Sequence, residues 1–255
     1  MDVQPSDLRD DVGNRSYPAG REASLSTLIV ADVREALFAR RLKPGDVLGT
    51  EKEIAGRFGV SRIVARDALR TLQALGIAAI RMGRGGGARV ARGNPRLFAE
   101  ALAIQLNLTG VGAGEVLDAQ RAVEALGAEL AAEHATPADL AELRRLLADA
   151  ESKLGDVAEL TRSCRDFHLA VAQASHNRVL VVQLFSLEHV AWPARNPTLT
   201  PTVARRILDV HRELVELIEM RDGAGARRLM DEHVKMIRSR RVAEQRGGGV
   251  GGGCC

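Results

Sequence analysis

Apolar residues recur every three or four positions along most of the chain, which is the period of an amphipathic helix. The first such stretch predicts a long helix over residues 25–41, closed by Lys43-Pro44-Gly45. Two shorter helices follow, over residues 51–58 and from Arg62 to about residue 75. Beyond residue 95 the pattern predicts helices near 96–107, 113–134, 137–154, 157–175, 177–191, 202–222 and 224–243. The chain is therefore expected to be mostly α-helical and to end in an antiparallel all-α bundle.

The two short helices are separated by a break at Gly59. Ser61 stands at the N-cap position of the second one, where its hydroxyl can accept a bond from a free backbone N–H. Two helices joined by a tight turn with glycine form a helix-turn-helix. Two β-like runs, 77–82 and 88–91, flank a glycine-rich segment and predict a β-hairpin. These elements predict a winged helix-turn-helix with a small β-hairpin wing.

The second short helix carries Arg62, Arg66 and Arg70 at a spacing of four residues, which puts three guanidinium groups on one face. Such a face fits the major groove of DNA, where arginine bonds guanine edges or holds phosphates. The alternative is a solvated helix face, which is the commoner explanation for an isolated arginine-rich helix. The wing favours DNA, because a glycine tip allows close backbone approach and Arg84 can enter a minor groove.

Charge is divided unevenly along the chain. Residues 22–92 contain thirteen Lys and Arg against seven Asp and Glu, a net charge of +6, whereas the whole chain carries +3. The remainder therefore carries −3, so that only the N-terminal part has the charge expected of a nucleic-acid-binding domain. Apolar residues make up 45% of the chain and aromatic residues only 3%, which favours helices over a β-sandwich.

Composition and breaks divide the chain into five segments. We expect a disordered arm over 1–22, the winged helix-turn-helix over 23–92, a linker over 93–96, the helical domain over 97–243 and a flexible glycine-rich tail over 244–255. The three cysteines, Cys164, Cys254 and Cys255, suggest no disulfide framework. With no long apolar segment and no signal-like N-terminus, a cytoplasmic protein is expected.

Three histidines occupy inward positions on three different helices of the predicted bundle: His168, His211 and His233. A single inward histidine is usually a core residue bonded to a neighbour. Three are harder to explain in that way, because each buried imidazole needs partners. Imidazole is also the commonest borderline metal ligand, so these residues could converge on a transition metal.

The N-terminal part contains four characteristic motifs: Lys43-Pro44-Gly45-Asp46-Val47-Leu48, Thr50-Glu51-Lys52-Glu53-Ile54-Ala55, Val60-Ser61-Arg62 and Ala65-Arg66-Asp67-Ala68-Leu69. Together they resemble the DNA-binding domain of the GntR family of bacterial transcription regulators. The resemblance implies that Lys52, Arg62, Arg66 and Gly83 contact DNA. One departure is Val64-Ala65, where many relatives have a Thr-Pro or similar pair, which could alter base preference.

The bundle resembles the FCD effector domain that defines the FadR subfamily, through Arg121-x-x-Glu124, Phe167-His168-Leu169-Ala170 and Ala174-Ser175-x-Asn177, with His211 and His233 in the last two helices. In relatives that bind metal, three histidines and an Asp four residues before the first one hold Zn or Ni, and a small carboxylate effector binds beside it. Here Cys164 stands in place of that Asp. It could ligate the metal, be dispensable beside the three histidines, or mark the loss of the metal site.

The same resemblance suggests that Arg121 and Asn177 face the effector. The alternatives are an ion pair of Arg121 with Glu124, three residues further on, and helix capping by Asn177. His176 replaces a glycine usual in the family and is expected to be exposed. His134 and His189 are expected to have no role at the site.

These observations predict a sequence-specific, DNA-binding transcription regulator, a repressor whose operator affinity responds to a small organic acid. A homodimer reading a pseudo-palindromic duplex is the expected assembly. Two rival hypotheses remain, a metal-dependent enzyme built in the bundle and a DNA-binding protein without an effector. No general base, paired nucleophile or phosphate loop accompanies the histidines, which argues against the enzyme.

Overall fold

The computed structural model of the protein describes residues 24–81, 83, 86–190 and 200–247. The chain divides into two compact units, Met1–Leu97 and Phe98–Cys255. The predicted arm over 1–22 and the end of the predicted tail lie outside the described residues. No helix within the described ranges is long and apolar enough to cross a membrane.

The first unit contains three helices, α1 (Leu25–Phe38), α2 (Glu51–Phe58) and α3 (Arg62–Ala74). The helix-turn-helix formed by α2 and α3 is defined by its caps. Thr50 begins α2 in a capping box with Glu53, and Gly59 ends it in the left-handed conformation that glycine adopts without strain. Ser61 then caps α3 by accepting a hydrogen bond from the backbone N–H of Val64. The predicted helix-turn-helix is present with its predicted N-cap.

The wing belongs to a three-stranded antiparallel sheet of β1 (Val47–Gly49), β2 (Ala78–Arg81) and β3 (Gly87–Val90), in the order β1-β3-β2. The predicted hairpin is formed by β2 and β3, with Ala78 opposite Val90 and Arg81 opposite Gly87. Strand β1 was not predicted. It is only three residues long and pairs with residues some 40 positions later, so its sequence has no local β pattern.

A single apolar core supports this unit. It joins the inward residues of α1 and α3 to those of α2 and the sheet, including Ile29, Leu48, Ile54, Leu72 and Val90. All five side chains are buried. Because one side of α3 is committed to this core, its other side faces outward along the whole helix.

The remaining helices are α4 (Pro95–Leu108), α5 (Ala113–His134), α6 (Pro137–Ser152), α7 (Val157–Ala174), α8 (Arg178–His189), α9 (Pro201–Glu219) and α10 (Gly223–Gly247). In the second unit α5 packs against α7, α8, α9 and α10, while α6 packs against α7 and α9. The predicted fold class, a winged helix-turn-helix followed by an all-α bundle, is confirmed.

Two segment boundaries differ from the prediction. Pro95 and Arg96, assigned to the linker, begin α4, because proline suits the first helical position and the Asn94 side chain accepts a bond from the Arg96 N–H. At the other end α10 continues to Gly247. The predicted tail therefore starts with helical residues, which are good helix formers up to the run of glycines.

Candidate DNA-binding face and histidine cluster

The outward side of α3 presents the predicted arginines. Arg62, Arg66 and Arg70 are all exposed, as are Ser61 and Lys52. Ile63 lies beside Arg62 with 78% of its surface exposed, which is unusual for a large apolar side chain and was not anticipated. At the wing, Gly83 has a φ of 97°, a conformation that disfavours other residues. Arg84 lies outside the described residues.

Arg66 forms an ion pair with Glu51 inside the first unit. Its Nε and Nη2 donate to the two carboxylate oxygens of Glu51 at the start of α2, both at 2.9 Å. The hydrogen bond and the charge of Arg66 lower the pKa of Glu51, and the same contact raises the pKa of Arg66. Since the pair is exposed, it contributes little stability and mainly orients Arg66. Glu51 lies fifteen residues before Arg66, so no local spacing could have predicted the contact.

In the second unit three histidines from three helices converge in the interior. His168 of α7, His211 of α9 and His233 of α10 are 7%, 1% and 3% exposed. The Nε2 atoms of His168 and His211 are 3.2 Å apart, and those of His211 and His233 are 3.3 Å apart. His211 also stacks on the ring of Phe167, with centroids 4.2 Å apart. The predicted convergence of the three inward histidines is therefore present.

Hydrogen bonding alone does not account for this geometry. An imidazole nitrogen has either one hydrogen or one lone pair, so Nε2 of His211 can form one good bond and not two. In a tetrahedral zinc site with Zn–N bonds of about 2.0–2.1 Å, the ligand nitrogens lie about 3.3 Å apart. The two measured separations match that value, and all the candidate ligand atoms lie within 4.8 Å of one another. The residues present therefore fit a transition metal.

Electrostatics favour neutral ligands at two of the three positions. Burial, with the neighbouring imidazoles, lowers the pKa of His211 well below its usual value, and burial lowers the pKa of His233 to about 3. Burial also acts to lower the pKa of His168, but the charge and hydrogen bond of Glu124 outweigh it and raise this pKa. His211 and His233 are thus uncharged at neutral pH, as metal ligation requires.

Glu124 of α5 also belongs to this site, although its sequence position suggested only a possible ion pair with Arg121. Its carboxylate is buried and in contact with Nδ1 of His168, and its other oxygen accepts a bond from Gln120 at 2.6 Å. The spacing of α5 indicates that Glu124 faces inward, because it lies seven residues after Leu117 and seven before Ala131, and all three are buried. A charged residue in such an inward row requires a partner.

Cys164 is not part of the cluster. It is partly buried and packs on a separate group of apolar residues that includes Leu160 and Leu208. Burial raises the pKa of its thiol to about 11, so Cys164 is a neutral thiol at neutral pH in the metal-free protein. Of the three roles considered for Cys164, direct ligation disagrees with the structure. Its side chain, one helical turn before His168, packs on these apolar residues and is not among the clustered ligand atoms.

Arg121 and Asn177 have partners other than a ligand. Nε of Arg121 lies 2.7 Å from Asp231 of α10, and its side chain is partly exposed. The alternative of an ion pair between Arg121 and Glu124 disagrees with the structure, since the buried Glu124 carboxylate contacts His168 and Gln120. Oδ1 of Asn177 accepts bonds from the backbone N–H groups of Val179 and Leu180, which is the capping alternative.

His176 is exposed, as expected, and has a φ of 53°, a left-handed conformation that explains why glycine suits this position. Its Nε2 lies 2.9 Å from the Asp139 carboxylate, which also accepts bonds from Thr136 at the start of α6. This histidine therefore joins the α7–α8 corner to α6 and lies apart from the buried cluster.

Comparison with known proteins matches both units. Residues 25–87 match the family model described as bacterial regulatory proteins, gntR family, and residues 115–236 match that of the FCD domain. The Uxu operon regulator of Haemophilus influenzae is 27% identical over 239 residues, covering 90% of this chain and 83% of the relative. The LutR regulator of Bacillus subtilis is 28% identical over 207 residues, covering 77% of this chain and 91% of the relative.

Among solved structures, Streptococcus agalactiae GntR superposes with a TM-score of 0.58 at 21% identity, covering 85% of this chain and 99% of that one, which supports the fold. The relatives are described as regulators of transcription, not as enzymes. With a GntR-type helix-turn-helix in the first unit and an FCD domain in the second, the chain belongs to the GntR family of bacterial transcription regulators.

Proposed function

We propose that this regulator is a repressor whose affinity for operator DNA is controlled by a metal and a small carboxylate bound in the FCD domain. The observation that supports the control step is the convergence of three buried histidines, with Nε2 of His211 at the spacing of a tetrahedral metal site from Nε2 of each of the other two. The exposed arginine face of α3 supports the DNA-binding step.

For DNA binding, we assign base and phosphate contacts to the outward side of the helix-turn-helix and to the wing, namely to Lys52, Ser61, Arg62, Arg66, Arg70, Gly83 and Arg84. Arg66 is the residue most suited to reading a base, because Glu51 holds its guanidinium in one orientation. In this arrangement Nη1 remains available for a base edge or a phosphate. Lys52, Arg62 and Arg70 are exposed and can adapt to the phosphate backbone of DNA.

In the bundle, His168, His211 and His233 would hold a divalent transition metal, with zinc as the best fit to three imidazoles. When bound, the metal supplies positive charge and an open coordination position. Three neutral histidines do not cancel that charge, and Glu124 offsets only part of it. A small anion such as a carboxylate is therefore the ligand that the site would favour.

The expected mechanism is a population shift. An effector that binds one state of the FCD domain more tightly stabilises that state, and a dimer with differently placed helix-turn-helix units then fits a two-fold operator less well. Homodimerisation, repression and the effector are parts of this proposal. One relative, from Escherichia coli, is described as the Glc operon transcriptional activator, so activation is the alternative sign of regulation.

The test starts by selecting operator duplexes from a random pool with metal-loaded protein. Operator affinity is then measured by fluorescence anisotropy, with and without zinc, against a panel of small carboxylates. We expect one class of carboxylate to weaken binding by about 5- to 150-fold, and only in metal-loaded protein. Unchanged affinity across the panel would support the rival hypothesis of an effector-independent DNA-binding protein.

A further inference from the structure

The three clustered histidines differ in what their second ring nitrogen contacts. Nδ1 of His168 meets the Glu124 carboxylate. Nδ1 of His211 and of His233 are buried, and no described residue offers either of them a hydrogen-bond partner. The imidazole of His168 is therefore positioned by a carboxylate at its Nδ1, whereas the other two are positioned by packing, as in the stacking of His211 on Phe167.

The Glu124 carboxylate is itself fixed. The residue is 2% exposed, so water does not compete for its oxygens. One oxygen contacts Nδ1 of His168 and the other accepts from Nε2 of Gln120, one helical turn earlier on α5. Both oxygens are thus engaged, and rotation of the carboxylate about its terminal bond would break two contacts at once.

This contact has a chemical consequence for His168. A carboxylate only accepts hydrogen bonds, so the neutral imidazole must carry its hydrogen on Nδ1. The lone pair then lies on Nε2, and this is the nitrogen that lies 3.2 Å from Nε2 of His211. The opposite tautomer, with its hydrogen on Nε2, would place the Nδ1 lone pair against a lone pair of the Glu124 carboxylate. It would also leave Nε2 without a lone pair for a metal.

We propose that Glu124 is a positioning residue, tethered by Gln120, that fixes the tautomer and ring orientation of His168 so that its Nε2 faces the other two histidines as a metal ligand. The metal-binding part rests on the proposed function. The tautomer does not, because it follows from the contact with Glu124 alone. A carboxylate that accepts the Nδ1 hydrogen of a ligating histidine also makes its Nε2 a stronger electron-pair donor to the metal.

The first experiment measures zinc affinity by competition with a chromophoric chelator for the wild type and for Glu124→Gln. We expect the substitution to lower affinity by about 10- to 100-fold, the usual effect of removing such a partner. Gln120→Ala, at a partly exposed position, is expected to lower it by a smaller factor. Glu133→Gln, at an exposed glutamate of the same helix, is the matched control and should leave affinity unchanged.

A purely structural role for Glu124 would change stability without changing the cobalt spectrum. Visible absorption of the cobalt-loaded protein is therefore recorded in parallel, and a shifted ligand-field band in Glu124→Gln supports the proposal. Wild-type affinity and an unchanged spectrum in that variant would overturn it while leaving the three-histidine site intact. If Glu124→Gln does not fold, the same two readouts are taken on Gln120→Ala.

The second experiment needs no variant and no metal. Long-range ¹H–¹⁵N correlation spectra of the metal-free wild type, recorded at increasing pH until the ¹⁵N shifts show a neutral His168 ring, report each histidine tautomer. An Nδ1–H tautomer for His168 supports the proposal, and an Nε2–H tautomer overturns it. A wild type that takes up no zinc would count against the proposed metal site, and the tautomer would still decide whether Glu124 positions His168.

Discussion

The arginine face of α3 and the histidine cluster of the bundle are both sets of three like residues, but they are built in opposite ways. Arg62, Arg66 and Arg70 lie on one helix, are exposed and share a face because of their spacing. The three histidines come from three helices and lie buried, with Nε2 of His211 3.2 Å from Nε2 of His168 and 3.3 Å from Nε2 of His233. A surface made by one helix tolerates small movements, whereas a buried cluster depends on the packing of every helix that contributes to it.

This contrast predicts that the largest single effect belongs to the cluster. His211 has its Nε2 within hydrogen-bond distance of both other histidines, so His211→Ala removes the central ligand. We expect zinc affinity to fall by at least about 100-fold, which is more than the loss expected on removing Glu124, a residue that only contacts a ligand. The measurement is the increase in unfolding temperature on adding zinc, which should disappear in this variant. His134→Ala, at an exposed histidine, should retain the increase.

The arginine face should show a smaller loss, because several contacts share the binding energy. Arg66→Ala is expected to weaken operator binding by about 10- to 100-fold, the effect of losing one bidentate base contact, with the fold intact. Arg145→Ala is a matched control, since Arg145 forms the same two-bond exposed pair with Glu142 but lies in the FCD domain. Equal operator affinity in Arg66→Ala and Arg145→Ala would reject the assignment of α3 as the recognition helix.

Glu51 tests whether the orientation of Arg66 matters. Glu51→Gln removes a negative charge beside the arginine face and weakens the pair that holds Arg66. We expect binding to non-operator DNA to rise by about three- to tenfold, because phosphate attraction increases, while discrimination in favour of the operator falls. Anisotropy titrations at several salt concentrations measure both. Glu142→Gln provides the control, and retained discrimination in Glu51→Gln would show that the pair does not orient Arg66.

A smaller effect is expected in stability and depends on pH. The pKa of Asp139 is lowered by its hydrogen bonds to Thr136 and to His176, which outweigh the opposing effect of burial. Its contribution is therefore complete above the unfolded pKa of about 4 and is lost as pH falls through the lower folded pKa. Asp139→Asn should lower the free energy of unfolding by about 1 kcal/mol at neutral pH, as for other lost caps. Chemical denaturation should show that the difference shrinks below about pH 4, and a pH-independent difference would contradict this account.

The smallest effect is predicted at Cys164. Because its neutral thiol packs outside the histidine cluster, Cys164→Ser should change zinc affinity by less than about twofold. The same chelator competition measures it. A loss of zinc affinity as large as that of His211→Ala would show that Cys164 is a metal ligand.

Features that a single helix or turn encodes can be predicted from the amino-acid sequence. The caps Thr50 and Ser61, the break at Gly59 and the arginine spacing are local, and local hydrogen bonding fixes them whatever the rest of the chain does. The inward phase of the three histidines was also readable, since each follows the apolar period of its own helix. The amino-acid sequence by itself therefore determined the helix-turn-helix, the helical bundle and the identity of the clustered histidines.

Contacts between distant elements were decided by the tertiary structure. Strand β1 exists because β3 pairs with it, Arg66 is oriented by a carboxylate on another helix, and Arg121 turns to Asp231 instead of Glu124. Cys164 and His168 are one turn apart, yet one packs on apolar residues and the other enters the cluster. Helical phase gives the direction of a side chain only to within a broad sector, while a hydrogen bond or a metal ligand requires sub-ångström placement, which only the packed helices supply.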